Sequence, residues 1–279
     1  MQFLAVLCCV AAVVASGAGG PADCGVTFDG SSYRKEVVAA NLVLASNLAV
    51  DHKANVLYYT NYDAEKGIYE SAKVNLNTKE ISKIEELAGP CSFAVDQQHN
   101  TVYAGCGAFK EIGKPGLHRY DDKVGRFTLI GEETKYIQFV YYKDILYYSP
   151  HPSLQLHTFV NGRSAPVKDL ASEVDQLVID KDNDKIFYND DGLYQQKSGS
   201  SELVHYPATN SSMALAVDAA GEAYVCDFKS DAIYRLDKAA AGLTKLLDAS
   251  WCRGLAFDKE NNMIYSDSEN NKIVRLLKC

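Results

Sequence analysis

The chain has 279 residues and a formal net charge of −8. That length supports one large domain or two ordinary ones, with a sizeable core. The acidic balance, spread along the chain without a basic tail, argues against nucleic acid and anionic membrane surfaces as partners.

The first residues, MQFLAVLCCVAAVVASGAGG, have an apolar centre from Phe3 to Val14, followed by small residues from Ala15 to Ala18. The run is too short to span a bilayer. It reads as a cleaved secretory signal over residues 1–18, although only the terminal amine supplies positive charge; the structural alternative is a buried N-terminal helix. No other segment is apolar enough to cross a membrane. The expectation is a mature, extracellular, monomeric protein that has left Cys8 and Cys9 behind with the signal.

The remaining chain is a repeat. NLAVDHKANVLYYTN begins at Asn47 and FAVDQQHNTVYAGC at Phe93. IQFVYYKDILYYSP begins at Ile137 and has lost the Asp of the other copies. LVIDKDNDKIFYND, LAVDAAGEAYVCD and LAFDKENNMIYSD begin at Leu177, Leu215 and Leu255. Each copy reads as an apolar strand, a tight polar turn and a second strand rich in Tyr, Ile and Val. A third strand follows each copy, as in GLYQQKS near Tyr194, AIYRLDK near Tyr234 and KIVRLL near Val274. A fourth then leads into the next copy, as in EISKIEEL, RFTLIGEE, SELVHY and LTKLLD. Four short strands per roughly 40 residues, repeated six times, predict an all-β, six-bladed β-propeller of four-stranded antiparallel blades over residues 24–279.

The recurrent Asp51, Asp96, Asp180, Asp218 and Asp258 follow the innermost strands, where a carboxylate caps free backbone N–H groups of a turn. Metal binding is the lesser alternative. The last copy ends after its third strand, so SYRKEVVA (32–39) is expected to supply the fourth and close the ring from both chain ends. Six cysteines remain, an even number that implies disulfides in an oxidising compartment. Of fifteen possible connectivities, strand positions favour Cys24–Cys279 at the ring closure, Cys91–Cys106 across one hairpin, and Cys226–Cys252 between blades five and six. Asn210-Ser211-Ser212 is the one glycosylation sequon found.

Propellers build ligand sites at the channel mouth, from the starts of the innermost strands and the loops after the second strands. On the strand side this selects Ser46, Asn47, Ser92, Tyr136, Gln138, Asp175, Gln176, Met213, Trp251 and Arg253. The loop side adds Asn61, Tyr62, His151, Asn189, Asp190, Asp227, Phe228 and Asp267. The sole Trp stands two residues from an Arg, a pair suited to stacking on a flat aromatic ligand and pairing its acidic group. The structural alternative is that Trp251 plugs the gap between blades. Asp175, Asn61, Asn189, Asp190, Asp227 and Asp267 are the residues a calcium-dependent lactonase or esterase propeller would recruit. Several of them recur just after second strands, however, which points to scaffold. The chain has no GxSxG, no HExxH and no histidine spacing that suits a metal, so no catalytic or metal residue is assigned.

The hairpins ending in Y-x-D or Y-x-N, followed by I-x-R, resemble the YWTD-type propellers of extracellular receptors, with the Trp of that motif replaced. The secretory signal, CGV at Cys24, NLNTKE at Asn75, KDILYYS at Lys143, GLYQQKSG at Gly192 and GLAFDKENNMIYSD at Gly254 resemble the ommochrome-binding proteins of moth and butterfly haemolymph. That resemblance spans nearly the whole mature chain. It implies a secreted carrier of a planar, acidic, tryptophan-derived pigment, with no other cofactor and no turnover. A lactonase-type enzyme and an extracellular protein-interaction propeller are the alternatives.

Overall fold

A computed structural model describes residues 24–107, 115–121, 123–131, 135–170, 172–206 and 212–279. The signal segment and the Asn210 sequon lie outside them. The expected six blades are present as six antiparallel sheets. Their innermost strands are Val43–Asp51, Cys91–Asp96, Lys135–Tyr142, Gln176–Ile179, Ser212–Val217 and Leu255–Phe257, for blades 1 to 6 in order. Blades 1 to 5 each run outward through four consecutive strands. Among the described residues no helix is long and apolar enough to cross a membrane.

The core is distributed between blades. Among the described residues there are six apolar clusters, each spanning two neighbouring blades. Leu146 and Phe139 of blade 3, for example, pack on Ala94 and Leu117 of blade 2. The fit there is close enough to require a glycine. A Cβ on Gly105 would lie 1.3 Å from the Phe139 ring.

The turn aspartates act as expected. Asp96 Oδ1 accepts from the N–H groups of Gln98 and His99 (both 3.0 Å), and Asp258 Oδ1 from those of Glu260 (3.0 Å) and Asn262 (2.8 Å). Blade 3, whose copy lacks the Asp, solves the turn differently. Lys143 and Asp144 form a two-residue loop with φ of 47° and 64°. Positive φ at both central residues is the turn geometry that matches strand twist, so no capping carboxylate is needed.

The last blade is closed by Ser31–Ala40, which pairs with Lys272–Lys278 from Tyr33↔Lys278 to Ala40↔Lys272. Cys24 and Cys279 are disulfide-bonded beside it, and the other two bridges are Cys91–Cys106 and Cys226–Cys252, the favoured connectivity. A fifth strand, Val26–Phe28, was not foreseen. It pairs on the outside of the closing strand and stacks Phe28 on Tyr33 at 4.3 Å. Charge reinforces the closure. Glu36 on the closing strand accepts from Arg275 Nε (2.7 Å) on the final strand and from Lys79 Nζ (2.9 Å) in blade 1. Arg275 also reaches the wholly buried Asp258 carboxylate at 3.3 Å.

Arg275→Ala should therefore cost about 3 kcal/mol in a urea titration, because it strands a buried carboxylate as well as breaking the pair. Burial pushes the Glu36 carboxyl up, but hydrogen bonds from Lys79 and Arg275 outweigh it and hold it below its ordinary value of 4.5. A carboxylate held low stabilises the fold above its unfolded value and loses that contribution as pH falls through the folded value. Melting temperatures should drop below pH 4.5, and Glu36→Gln should flatten that part of the profile. Gly105→Ala should destabilise by about 1–3 kcal/mol through overpacking against Phe139.

Candidate functional site

On the ring axis, Asn47, Ser92, Gln176, Arg253 and Gly254 line a cavity of about 30 Å³. That is room for about one water. The inner strands come this close partly because residue 254 is glycine, where a Cβ would lie 2.5 Å from Leu48 Cγ. Of the predicted mouth residues, Asn47, Ser92, Gln176 and Arg253 line this cavity. A polycyclic ligand does not fit within it, so any such ligand must lie on the rim.

The rim carries a compact aromatic–cation group. Trp251 is 47% exposed. Its ring meets Phe228 edge-on, with centroids 5.3 Å apart. The Arg253 guanidinium lies over the Phe228 ring, 5.6 Å from its centroid. Phe228 therefore joins the pair of Trp251 and Arg253 as a third member, in contact with both. Trp251 leaves part of its ring open to solvent and does not simply plug an interblade gap.

The local sequence explains the arrangement. Asp227 ends the second strand of blade 5, and its carboxylate accepts from the N–H of Ser230 (3.1 Å) to shape the loop carrying Phe228. Asp231, in the same loop, accepts from the Trp251 N–H at 3.1 Å. Trp251 has φ 54°, a conformation a bulky residue holds only when its surroundings fix it. The Cys226–Cys252 bridge joins the two segments at positions directly next to Asp227 and Trp251. The Arg253 N–H donates to Ser266 Oγ at 2.8 Å, while its buried Nε has no acceptor among the described residues. Arg253 is half-buried, so it presents the rim with its guanidinium charge and not with the buried Nε. Asp231 and Ser266 were invisible to sequence reasoning, since neither stands at a recurring position of the repeat that suggests a link to Trp251.

The other predicted residues are spread around the ring. Tyr62 packs on Tyr69 within blade 1, at 5.1 Å between centroids. Asn61 pairs with Glu70 in the same sheet, and its Oδ1 is buried without a donor among the described residues. Tyr136 pairs with Pro150, Gln138 with Ser149 and Lys135 with His151 along the first hairpin of blade 3. Met213 lies in the inner strand of blade 5, at its bulge. The side chains of Tyr136, Gln138, His151 and Met213 lie outside the described residues.

The carboxylates and amides considered for a metal are largely engaged. Asn189 accepts from the Asp191 N–H (3.0 Å), Asp227 from Ser230, and Asp267 from Asn270 (3.2 Å). Burial, with the charges of Asp190 and Glu173 beside it, pushes the Asp175 carboxyl up. Among the described residues, one group of three acidic, His or Cys side chains converges: Asp180, Asp182 and Asp184. It lies at the opposite end of the inner strand from Gln176. Lys238 Nζ stands within 2.7 Å of all three carboxylates, so an ammonium already occupies the point on which they converge.

Fold and rim together define a six-bladed propeller with a nearly closed channel and an aromatic–cation platform beside it. The chain is 26% identical over 266 residues to the ommochrome-binding protein of Manduca sexta, covering 91% of each chain, in keeping with the resemblance its motifs suggested. No protein-family profile matches it. Among solved structures it is similar to a gluconolactonase from Xanthomonas campestris, with TM-score 0.70 at 11% identity over 93% of this chain and 97% of that one. It is also similar to a calcium-binding protein, regucalcin, from Agrobacterium tumefaciens, with TM-score 0.65 at 11% identity over 88% and 94%. At such identities these structures establish the architecture alone.

The sole tryptophan should emit as a solvent-exposed indole and be quenched by iodide. In Asp231→Ala its fluorescence anisotropy should fall, at a cost in stability of about 1 kcal/mol.

Proposed function

We propose that the protein is a secreted, monomeric carrier of an ommochrome-type pigment, a planar, acidic, tryptophan-derived chromophore that it binds non-covalently and does not turn over. The observation that carries this reading is the Trp251–Phe228–Arg253 group. An exposed indole offers a stacking face, and a half-buried guanidinium beside Phe228 offers a counter-ion for an acidic substituent. The Manduca sexta relative, named for binding such a pigment, supports the ligand class. Three disulfides suit an oxidising extracellular fluid such as haemolymph, and a glycan on Asn210 would suit it too.

The ligand rests on the rim with its ring on Trp251 and its acid toward Arg253, because the axial cavity holds about 30 Å³. Gln176 lines the same cavity as Arg253. Tyr136, Gln138, Met213, Asn61, Tyr62 and His151 remain candidates for the wider rim. A protein-docking role finds less support. The exposed large apolar side chains, such as Val37, Ile81, Val124, Val160 and Leu203, stand on different blades and form no broad patch among the described residues.

Protein purified from its native fluid should absorb visible light, and an added ommatin should quench Trp251 fluorescence. Trp251→Ala and Arg253→Ala should each weaken binding about tenfold, the scale of one aromatic or charge-assisted contact. A colourless protein whose Trp251 emission is unchanged by ommatin would refute the reading.

A further inference from the structure

A second cleft opens between blades 2 and 3, at the turn ends of the inner strands, on the opposite face from Trp251. Its volume is about 280 Å³, near the lower end of the roughly 300–1,000 Å³ usual for small-molecule sites. One wall is aromatic. Tyr103 of blade 2 and Tyr141 of blade 3 stack with centroids 5.6 Å apart and planes 9° from parallel. The wall is fixed in place, because the Tyr141 hydroxyl reaches Asp144 Oδ1 at 3.3 Å and is also hydrogen-bonded to the buried Asp96. Leu146 and Phe159 supply an apolar floor.

Two opposite charges border this surface. Arg119 stands directly across the strands from Tyr103, is exposed, and has no carboxylate partner among the described residues. Asp144 lines the same cleft with its side chain 69% exposed. Its contacts are the Tyr141 hydroxyl and a His99 ring nitrogen at 3.9 Å. The neighbouring Lys143 is turned away, bonded to Asn183 and lying over the Tyr142 ring. Among the described residues the cleft therefore presents one cation without a carboxylate partner, one exposed anion and a flat aromatic wall between two blades.

We propose that this cleft is a binding site for a zwitterionic aromatic ligand of the α-amino-acid class. The ligand's carboxylate pairs with Arg119, its ammonium with Asp144, and its ring lies against Tyr141 and Tyr103 over Leu146 and Phe159. A purely anionic ligand would leave Asp144 opposing it, and a purely cationic one would meet Arg119. An amino acid satisfies both charges at once. This site is independent of the pigment reading, which uses the other face of the ring.

Equilibrium dialysis of the full chain against radiolabelled L-tryptophan, tryptamine and indole-3-propionate tests it. L-Tryptophan should bind more tightly than either analogue. Arg119→Ala should weaken L-tryptophan and indole-3-propionate about tenfold and spare tryptamine. Asp144→Asn should weaken L-tryptophan and tryptamine and spare indole-3-propionate. Both positions are exposed, and unchanged melting curves would confirm that the variants fold. No L-tryptophan binding at millimolar concentration, or binding that both variants leave intact, would overturn the proposal. Neither result touches the pigment reading, whose readout is Trp251 emission.

Discussion

A propeller blade has two apolar faces and cannot cover either by itself. Each face is buried only by the next blade, so the last blade must meet the first. Here that closure depends on the ten residues Ser31–Ala40 lying beside the final strand. Backbone pairing supplies register, Cys24–Cys279 ties the ends, and Arg275 links Glu36 to the buried Asp258. The bridge spans 255 residues. In the chain-entropy view so long a loop gains most from being closed, because an open ring would expose two core interfaces at once.

The candidate rim site inherits its order from the same constraint. Trp251 and Arg253 enter the closing blade, while Phe228 leaves the second strand of the blade before it. Packing of blade 6 on blade 5 brings these two segments together, and Cys226–Cys252 holds them. A disulfide that follows one strand and precedes the next is therefore both a brace between blades and a clamp on the site. Pre-ordering of this kind limits the side-chain entropy lost on binding, which area alone does not reveal. The positive φ of Trp251 fits this picture, since local backbone strain persists where surrounding structure imposes it.

The architecture was legible because periodicity is a property of the chain itself. The LAVD-type copies mark each inner strand, and the missing fourth strand of the last copy marks where the N-terminal segment must go. Even the pairing of six cysteines followed from strand positions. The outer strand Val26–Phe28 left no signal, because three residues carry no period, and what fixes them is Phe28 stacking on Tyr33 and Asp29 pairing with Arg235. The site was legible in part. Trp251, Arg253 and Phe228 could be placed at one end of the ring by topology. Their mutual geometry depends on Asp231 accepting from a backbone N–H twenty residues away, which no spacing announces. The width of the channel was equally hidden, because it depends on how closely Gly254 lets blade 6 approach Leu48.

Charge gives the rim its direction. The chain carries a net charge of −8, and burial, with the charges of Asp190 and Glu173 beside it, pushes the Asp175 carboxyl up. An acidic ligand approaching that side of the mouth meets repulsion. On the other side, the Arg253 guanidinium lies over Phe228, which in turn meets Trp251. In a partly desolvated setting one guanidinium outweighs several screened carboxylates farther off, since Coulomb energy grows as both distance and effective dielectric fall. The acidic flank would then orient the ligand rather than exclude it, turning its anionic end toward blade 6 and its apolar face onto Trp251. Discrimination by repulsion as well as attraction is how a carrier keeps an amphipathic ligand in one pose.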